Sequence, residues 1–234
     1  TAGILAYQPE STDPWKSGAS FASAVSFIST ATDSNEPSAA DVSAAVVSMS
    51  TAKPSTGSAA SGQTFKFTKS TDALVGDSGN DTFTGVLQGA GLDGTTAQPG
   101  DSIEGGAGTD TFTISAAGAI TGADYTIAAV STTGVEKVLL SNFETSTFNT
   151  IVDTALMSGL TTVGLGSSSA TGDTTFTGLQ SIILSEMRNG SGDLTLTYNS
   201  DPISGDTDTQ ALTVSALTNG TFTADGIETL AITS

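Results

Sequence analysis

A nine-residue cadence of glycine and aspartate constrains this chain more than any other feature. Residues 71–84 read TDALVGDSGNDTFT and residues 100–113 read GDSIEGGAGTDTFT. Laid over one another, Asp72 falls on Asp101, Leu74 on Ile103, Gly76 on Gly105, Asp81 on Asp110 and Phe83 on Phe112. Within each copy the two aspartates stand nine residues apart. Glycine admits turn conformations closed to residues with a Cβ, and the apolar residue after the second aspartate enters a short strand. Matched turns in one register predict stacked rungs. The run Gly-Asp-Ser-Gly at 76–79 is also a protease nucleophile loop, but the chain has no histidine to activate Ser78.

Residues 105–113 fit Gly-Gly-x-Gly-x-Asp-x-apolar-x without a departure, and 76–84 depart only by Asp77 at the second position. That nonapeptide is the repeat of calcium-binding β-rolls. Ca²⁺ takes roughly six to eight oxygen ligands in flexible geometry, which carbonyls and one carboxylate per turn supply. One turn offers too few, so two stacked turns complete a site. Successive turns alternate between the sides of a roll. Turns 76–81 and 105–110 are therefore expected to share one Ca²⁺, with Asp72 and Asp101 facing a second. The second site is the poorer, because FTKSTD (67–72) has no glycine and carries Lys69. The insertion 85–100 is expected to bulge outward. Its GAGLDG (89–94) matches a dinucleotide fingerprint, but TTAQPGD after it cannot start the helix that cradles a pyrophosphate.

From Thr64 onward apolar residues alternate with Ser or Thr, as in TFKFT, DTFTI, DYTI, LTLTY, QALTVSAL and ETLAITS. Period two marks half-buried strands. Helical spacing is nearly absent there, apart from one expected turn at 151–159. A longer repeat reads Gly, aliphatic, two polar residues, then aliphatic residues two apart, beginning at Gly134, Gly159, Gly178 and Gly226. The last step is 48 residues against 25 and 19 before it, and implies two steps with a degenerate copy between, at LTLTY or QALTVSAL. Each unit holds a strand that cannot bury its own face, which favours a solenoid over the competing β-sandwich. In the rung IIL, period two puts Ile182 and Leu184 inward and Ile183 on the opposite face.

The expected fold is all-β: a calcium β-roll at 63–117 continuing into a parallel β-solenoid at 118–234. Residues 1–62 differ. SFASAVSFISTA (20–31) and PSAADVSAAVVSMS (37–50) have Ala-rich helical spacing, with Pro37 at a first turn, and 51–62 read as a linker.

Charge narrows the partners. The 234 residues include 24 acidic and 6 basic ones, a net charge of −18, and Asp outnumbers Glu by 17 to 7. Such a field repels nucleic acid and gathers cations. There is no cysteine, so stability has to come from the core, from bound metal or from assembly. No run approaches the ~20 apolar residues of a membrane span, so no transmembrane segment is expected. Without histidine or cysteine and with a single arginine, an enzyme has few tools, and none is expected.

Over residues 71–142 the motifs DALVGDSGNDTF, GDSIEGGAGTDTF and GVEKVLLSN resemble those of RTX-type surface-layer (S-layer) proteins of Gram-negative bacteria. The resemblance implies type I secretion, calcium-driven folding outside the cell and self-assembly into a lattice on the cell surface, with a glycan or lipopolysaccharide anchor. It implies metal ligands at Asp72, Asp81, Asp101 and Asp110, with backbone oxygens of Gly76, Ser78, Gly106 and Gly108. The same motif serves adhesins and virion surface or decoration proteins, and non-catalytic domains of secreted enzymes, which stand as the alternatives.

Overall fold

A computed structural model of the chain describes residues 61–88, 94–118, 123–127, 130–145, 147–169 and 171–234. The chain divides into two compact units, Thr1–Ala59 and Ala60–Ser234, and all described residues belong to the second. The helices expected at 20–31 and 37–50, and the linker up to residue 60, lie outside the described residues.

The described residues are all-β and contain no helix. Their strands form three sheets in which every pairing is parallel. The largest has the order β1 (Thr64–Lys66), β3 (Thr82–Gln88), β5 (Thr111–Gly118), β8 (Lys137–Glu144), β10 (Thr162–Ser169), β12 (Leu184–Ser191), β14 (Thr209–Asn219) and β16 (Thr229–Thr233). The second runs β15 (Phe222–Ala224), β13 (Leu194–Tyr198), β11 (Thr174–Leu179), β9 (Thr150–Asp153) and β6 (Tyr125–Ile127). The third holds β2 (Ala73–Val75), β4 (Ser102–Glu104) and β7 (Ser131–Thr133). Strands adjacent in one sheet are separated in the chain by strands of another, so the backbone winds as a parallel β-solenoid.

The alternation read in the sequence is the burial pattern of the sheets. In β3, β5 and β8 every second side chain is buried. Register then stacks like on like: Phe65, Phe83, Phe112, Val138 and Val163 form one inward row across five strands. Ile114, Leu140, Leu165 and Met187 form the next. The rings of Phe65 and Phe83 stack at 5.0 Å, and Phe67 meets Phe112 edge-on at 5.6 Å. Each such buried side chain contributes about 1.5–3 kcal/mol by leaving water. One continuous sheet crosses from the Gly/Asp turns into the later rungs, since β5 and β8 pair over the whole length of both strands.

Three expectations need correction. The rung after Gly178 is out of register with the others. Lys137 and Thr162 each lie three residues after their glycine and pair together, but Thr162 pairs with Leu184, six after Gly178. Gly178 (φ +73°) and Leu179 instead close β11. Ser185 and Met187 are therefore the inward residues of β12, set by Val163 and Leu165 on the neighbouring strand, and Leu184 is half-buried on the outer face. Ile182 and Ile183 precede the strand, and both pack half-buried against the core. Second, the start of the insertion does not bulge. Residues 85–88 extend β3, and Ala97 returns to be buried against it, with the Thr96 N–H donating to Val86 O at 2.8 Å. Third, 151–159 is not helical, because Ile151–Asp153 belong to β9 and a turn follows. The degenerate rung is β14, and LTLTY is β13 of the second sheet.

Candidate metal centre

The residue immediately before each strand of the large sheet occupies one corner of the solenoid. Along β1, β3, β5 and β8 those residues are Gln63, Asp81, Asp110 and Glu136. The first three donate their backbone N–H to the side chain of the next: Gln63 to Asp81 Oδ1 (2.6 Å), Asp81 to Asp110 Oδ1 (2.7 Å) and Asp110 to Glu136 Oε2 (2.7 Å). In return the following residue of the next rung donates back to the corner carbonyl: Thr82 to Gln63 (2.8 Å), Thr111 to Asp81 (2.9 Å) and Lys137 to Asp110 (3.1 Å). The rungs are thus locked in both directions. The Asp208 N–H makes the same bond to Glu228 Oε2 (2.9 Å) at the far end of the sheet.

Turns 76–81 and 105–110 lie directly against each other, as expected from their register. The Gly76 N–H donates to Glu104 O (2.7 Å) and the Ala107 N–H to Asp77 O (2.9 Å). Two glycines are required by this contact. A Cβ on Gly106 (φ +102°) would stand 2.0 Å from Asp77 O, and one on Gly108 (φ +131°) 2.3 Å from Gly79 O. Gly76 faces Gly105 O in the same way, while Ser78 is exposed at the tip of its turn. Asp72 and Asp101 occupy a different corner, ahead of β2 and β4, where the Asp72 N–H donates to Asp101 Oδ1 (2.9 Å). The structure therefore brings Asp81 together with Asp110, and Asp72 together with Asp101, as two separate pairs.

The oxygens of these carboxylates are not equally engaged. Asp81 accepts from Gln63 on Oδ1 and from the Asp77 N–H on Oδ2 (2.8 Å). Asp101 accepts from Asp72 on Oδ1 and from the Gln98 N–H on Oδ2 (2.7 Å). Asp72 accepts the Thr68 N–H and hydroxyl. Asp110 is fully buried, and its Oδ2 has no hydrogen-bond donor among the described residues. Burial raises the Asp110 pKa above the ordinary carboxylate value, and the charges of Glu136, Asp81 and Asp77 push the same way against the opposing Asp81 N–H. Asp77 is shifted down, first by the Gly79 N–H and then by the Gln63 side chain.

Among the described residues no three acidic side chains converge as a ready metal cage. The corner spaces its carboxylates one per rung instead. The donors at hand are all oxygens, the type that hard divalent cations take, and a buried carboxylate oxygen without a donor carries a desolvation cost that a cation removes. On that test the Asp110 corner fits Ca²⁺. The Asp72–Asp101 corner is already satisfied by backbone N–H groups.

Glu136 was not among the expected site residues. Its turn has no Gly-Gly-x-Gly run, yet it stands immediately before a strand, as Asp81 and Asp110 do. A further ladder, also unexpected, precedes the strands of the second sheet at Asp124, Asn149, Asp173, Asp193 and Thr221. There three of the later rungs donate to the earlier side chain: Asn149 to Asp124 Oδ1 (2.9 Å), Asp173 to Asn149 Oδ1 (3.1 Å) and Thr221 to Asp193 Oδ1 (2.6 Å). Burial and the neighbouring Asp193 raise the Asp173 pKa.

No protein-family model, no curated protein and no solved structure matches the chain.

Proposed function

We propose that the protein is a structural surface-layer component that folds on calcium after export and assembles with copies of itself on the cell surface. The observation that carries the reading is the buried, donorless Oδ2 of Asp110 in the second Gly/Asp turn. Such a group is stable when a cation compensates it, and extracellular calcium is the abundant hard divalent ion. Asp81 and Asp110, with backbone oxygens of Gly76, Ser78, Gly106 and Gly108, would hold the ion, and Asp72 and Asp101 would form the weaker pair. Calcium supplies positive charge and oxygen coordination. The chain supplies the register that brings successive turns within reach of one another.

Assembly is supported by an exposed apolar strand. Strand β16 is exposed along its whole length, and Leu230 and Ile232 are 43% and 61% exposed. Ile232 continues the inward row through Leu212. Exposed strands of this kind pair with other chains unless covered. The reading is non-enzymatic, with export by a type I route and a glycan or lipopolysaccharide anchor as parts of the same proposal. Electron microscopy of the purified chain with millimolar calcium, and again with chelator, tests it. Ordered sheets present only with calcium are expected, whereas isolated fibres would favour an adhesin or virion decoration.

A further inference from the structure

We infer that a cation site lies between the turn 105–110 and the next turn at Gly134–Glu136, with Asp110 Oδ2, the Gly134 carbonyl and the Glu136 carboxylate as ligands. The inference rests on the calcium reading above and assigns ligands to a turn that carries no nine-residue motif.

The two motif turns differ at their second position, and that difference decides which carboxylate oxygen is left over. In the first turn the Asp77 N–H points inward and donates to Asp81 Oδ2 (2.8 Å). In the second turn this position is Gly106 at φ +102°, lying against Asp77 O of the first turn. No donor reaches Asp110 Oδ2, and the residue is fully buried.

A Cβ placed on Gly105 would stand 1.8 Å from Gly134 O and 2.6 Å from Asp110 Oδ2, so both oxygens border the same small space. The Gly105 N–H donates to Thr133 O (2.8 Å), which holds the third turn directly over the second. Gly134 reaches its position with φ +66°, closed to most side chains. Glu136 Oε2 lies at this step as well, accepting the Asp110 N–H at 2.7 Å. Two carboxylates and a carbonyl from consecutive rungs thus meet where there is neither a lysine nor an arginine in the turns themselves. A hard divalent cation is the species that such an oxygen set accommodates. It would link the motif turns to the rest of the solenoid.

Titration calorimetry with calcium chloride on the full chain, after dialysis against chelator, tests the assignment. Glu136→Gln keeps an acceptor for the Asp110 N–H and removes one charge, so calcium affinity is expected to fall at least about tenfold. Asp153→Asn, on an outer face, serves as the control and is expected to match wild type. Wild-type binding with Glu136→Gln within about threefold of it would overturn the inference and leave the calcium reading standing. Absence of binding by the wild type at millimolar calcium would overturn both. If calcium-free circular dichroism shows Glu136→Gln unfolded, Glu136→Asp, which keeps the charge on a shorter arm, carries the same two outcomes.

Discussion

The backbone N–H of Asp81 donates to the Asp110 carboxylate across 2.7 Å, between residues 29 apart in sequence. One side chain thereby caps the start of the preceding strand and measures the distance between rungs. Of the two Asp110 oxygens, Oδ1 does this work and Oδ2 does none among the described residues. The division separates a structural role, independent of metal, from the ligand role proposed for Oδ2.

Asp110→Asn separates the two roles experimentally. The amide keeps an oxygen for the Asp81 N–H but abolishes the buried charge. In chelator the variant is expected to unfold at the same temperature as wild type or higher. In calcium at about 100 times the dissociation constant, wild type gains roughly 2.7 kcal/mol by linkage and the variant gains little. Thermal unfolding of both proteins with and without calcium reads the difference.

Acid is expected to stabilise the calcium-free chain before it harms it. The Asp110 and Asp173 carboxyls are raised above their ordinary value of 3.8, so the folded state binds protons that the unfolded state releases. Their penalty is full at neutral pH and is relieved as pH falls through the raised values. Asp77 is lowered, so its stabilisation holds above 3.8 and is lost only below it. Calcium-free stability should therefore rise as pH falls from neutral through the raised values, and Asp110→Asn should flatten that rise. Urea midpoints across pH 3.5 to 7.5 would measure this, and a maximum at neutral pH would contradict it.

The register of β12 gives a test of the core. Met187 is buried beside Leu165, and Leu184 lies half-buried on the outer face. Met187→Ala is expected to cost about 2–5 kcal/mol, and Leu184→Ala clearly less. Chemical denaturation of each variant checks the order, and a larger loss at Leu184 would reverse the assigned faces.

The alternation of Phe83, Phe112 and their neighbours was legible because inward residues on a strand repeat every second position whatever the strand pairs with. The stacking of 76–81 on 105–110 was legible for a similar reason, since equal spacing puts equal turns in register. The start of β12 was not. Gly178 and Leu179 mimic the opening of a rung, but they end a strand of another sheet, and only the pairing of Thr162 with Leu184 decides the matter. Long-range register overrode a local turn signal. Glu136 escaped notice because the glycine motif drew attention to the turn, whereas the ladder depends on the position just before the strand.

Charge on the exposed apolar face of β16 should govern assembly without altering the fold. Ile232→Lys places a cation on the exposed face of β16 and removes apolar area, so light scattering of assembled protein is expected to fall several-fold with far-UV circular dichroism unchanged. Undiminished scattering would move the contact to another face.

The most direct measurement is a calcium titration that follows far-UV circular dichroism and light scattering on one sample of the full chain. With a net charge of −18, copies repel until cations sit between them, and the Asp110 corner offers a buried site to fill first. The β signal is therefore expected to saturate at lower calcium than the scattering, and added chelator should dissolve the assembly before it unfolds the chain. A β signal and a scattering signal both indifferent to calcium from chelator to millimolar would contradict the account.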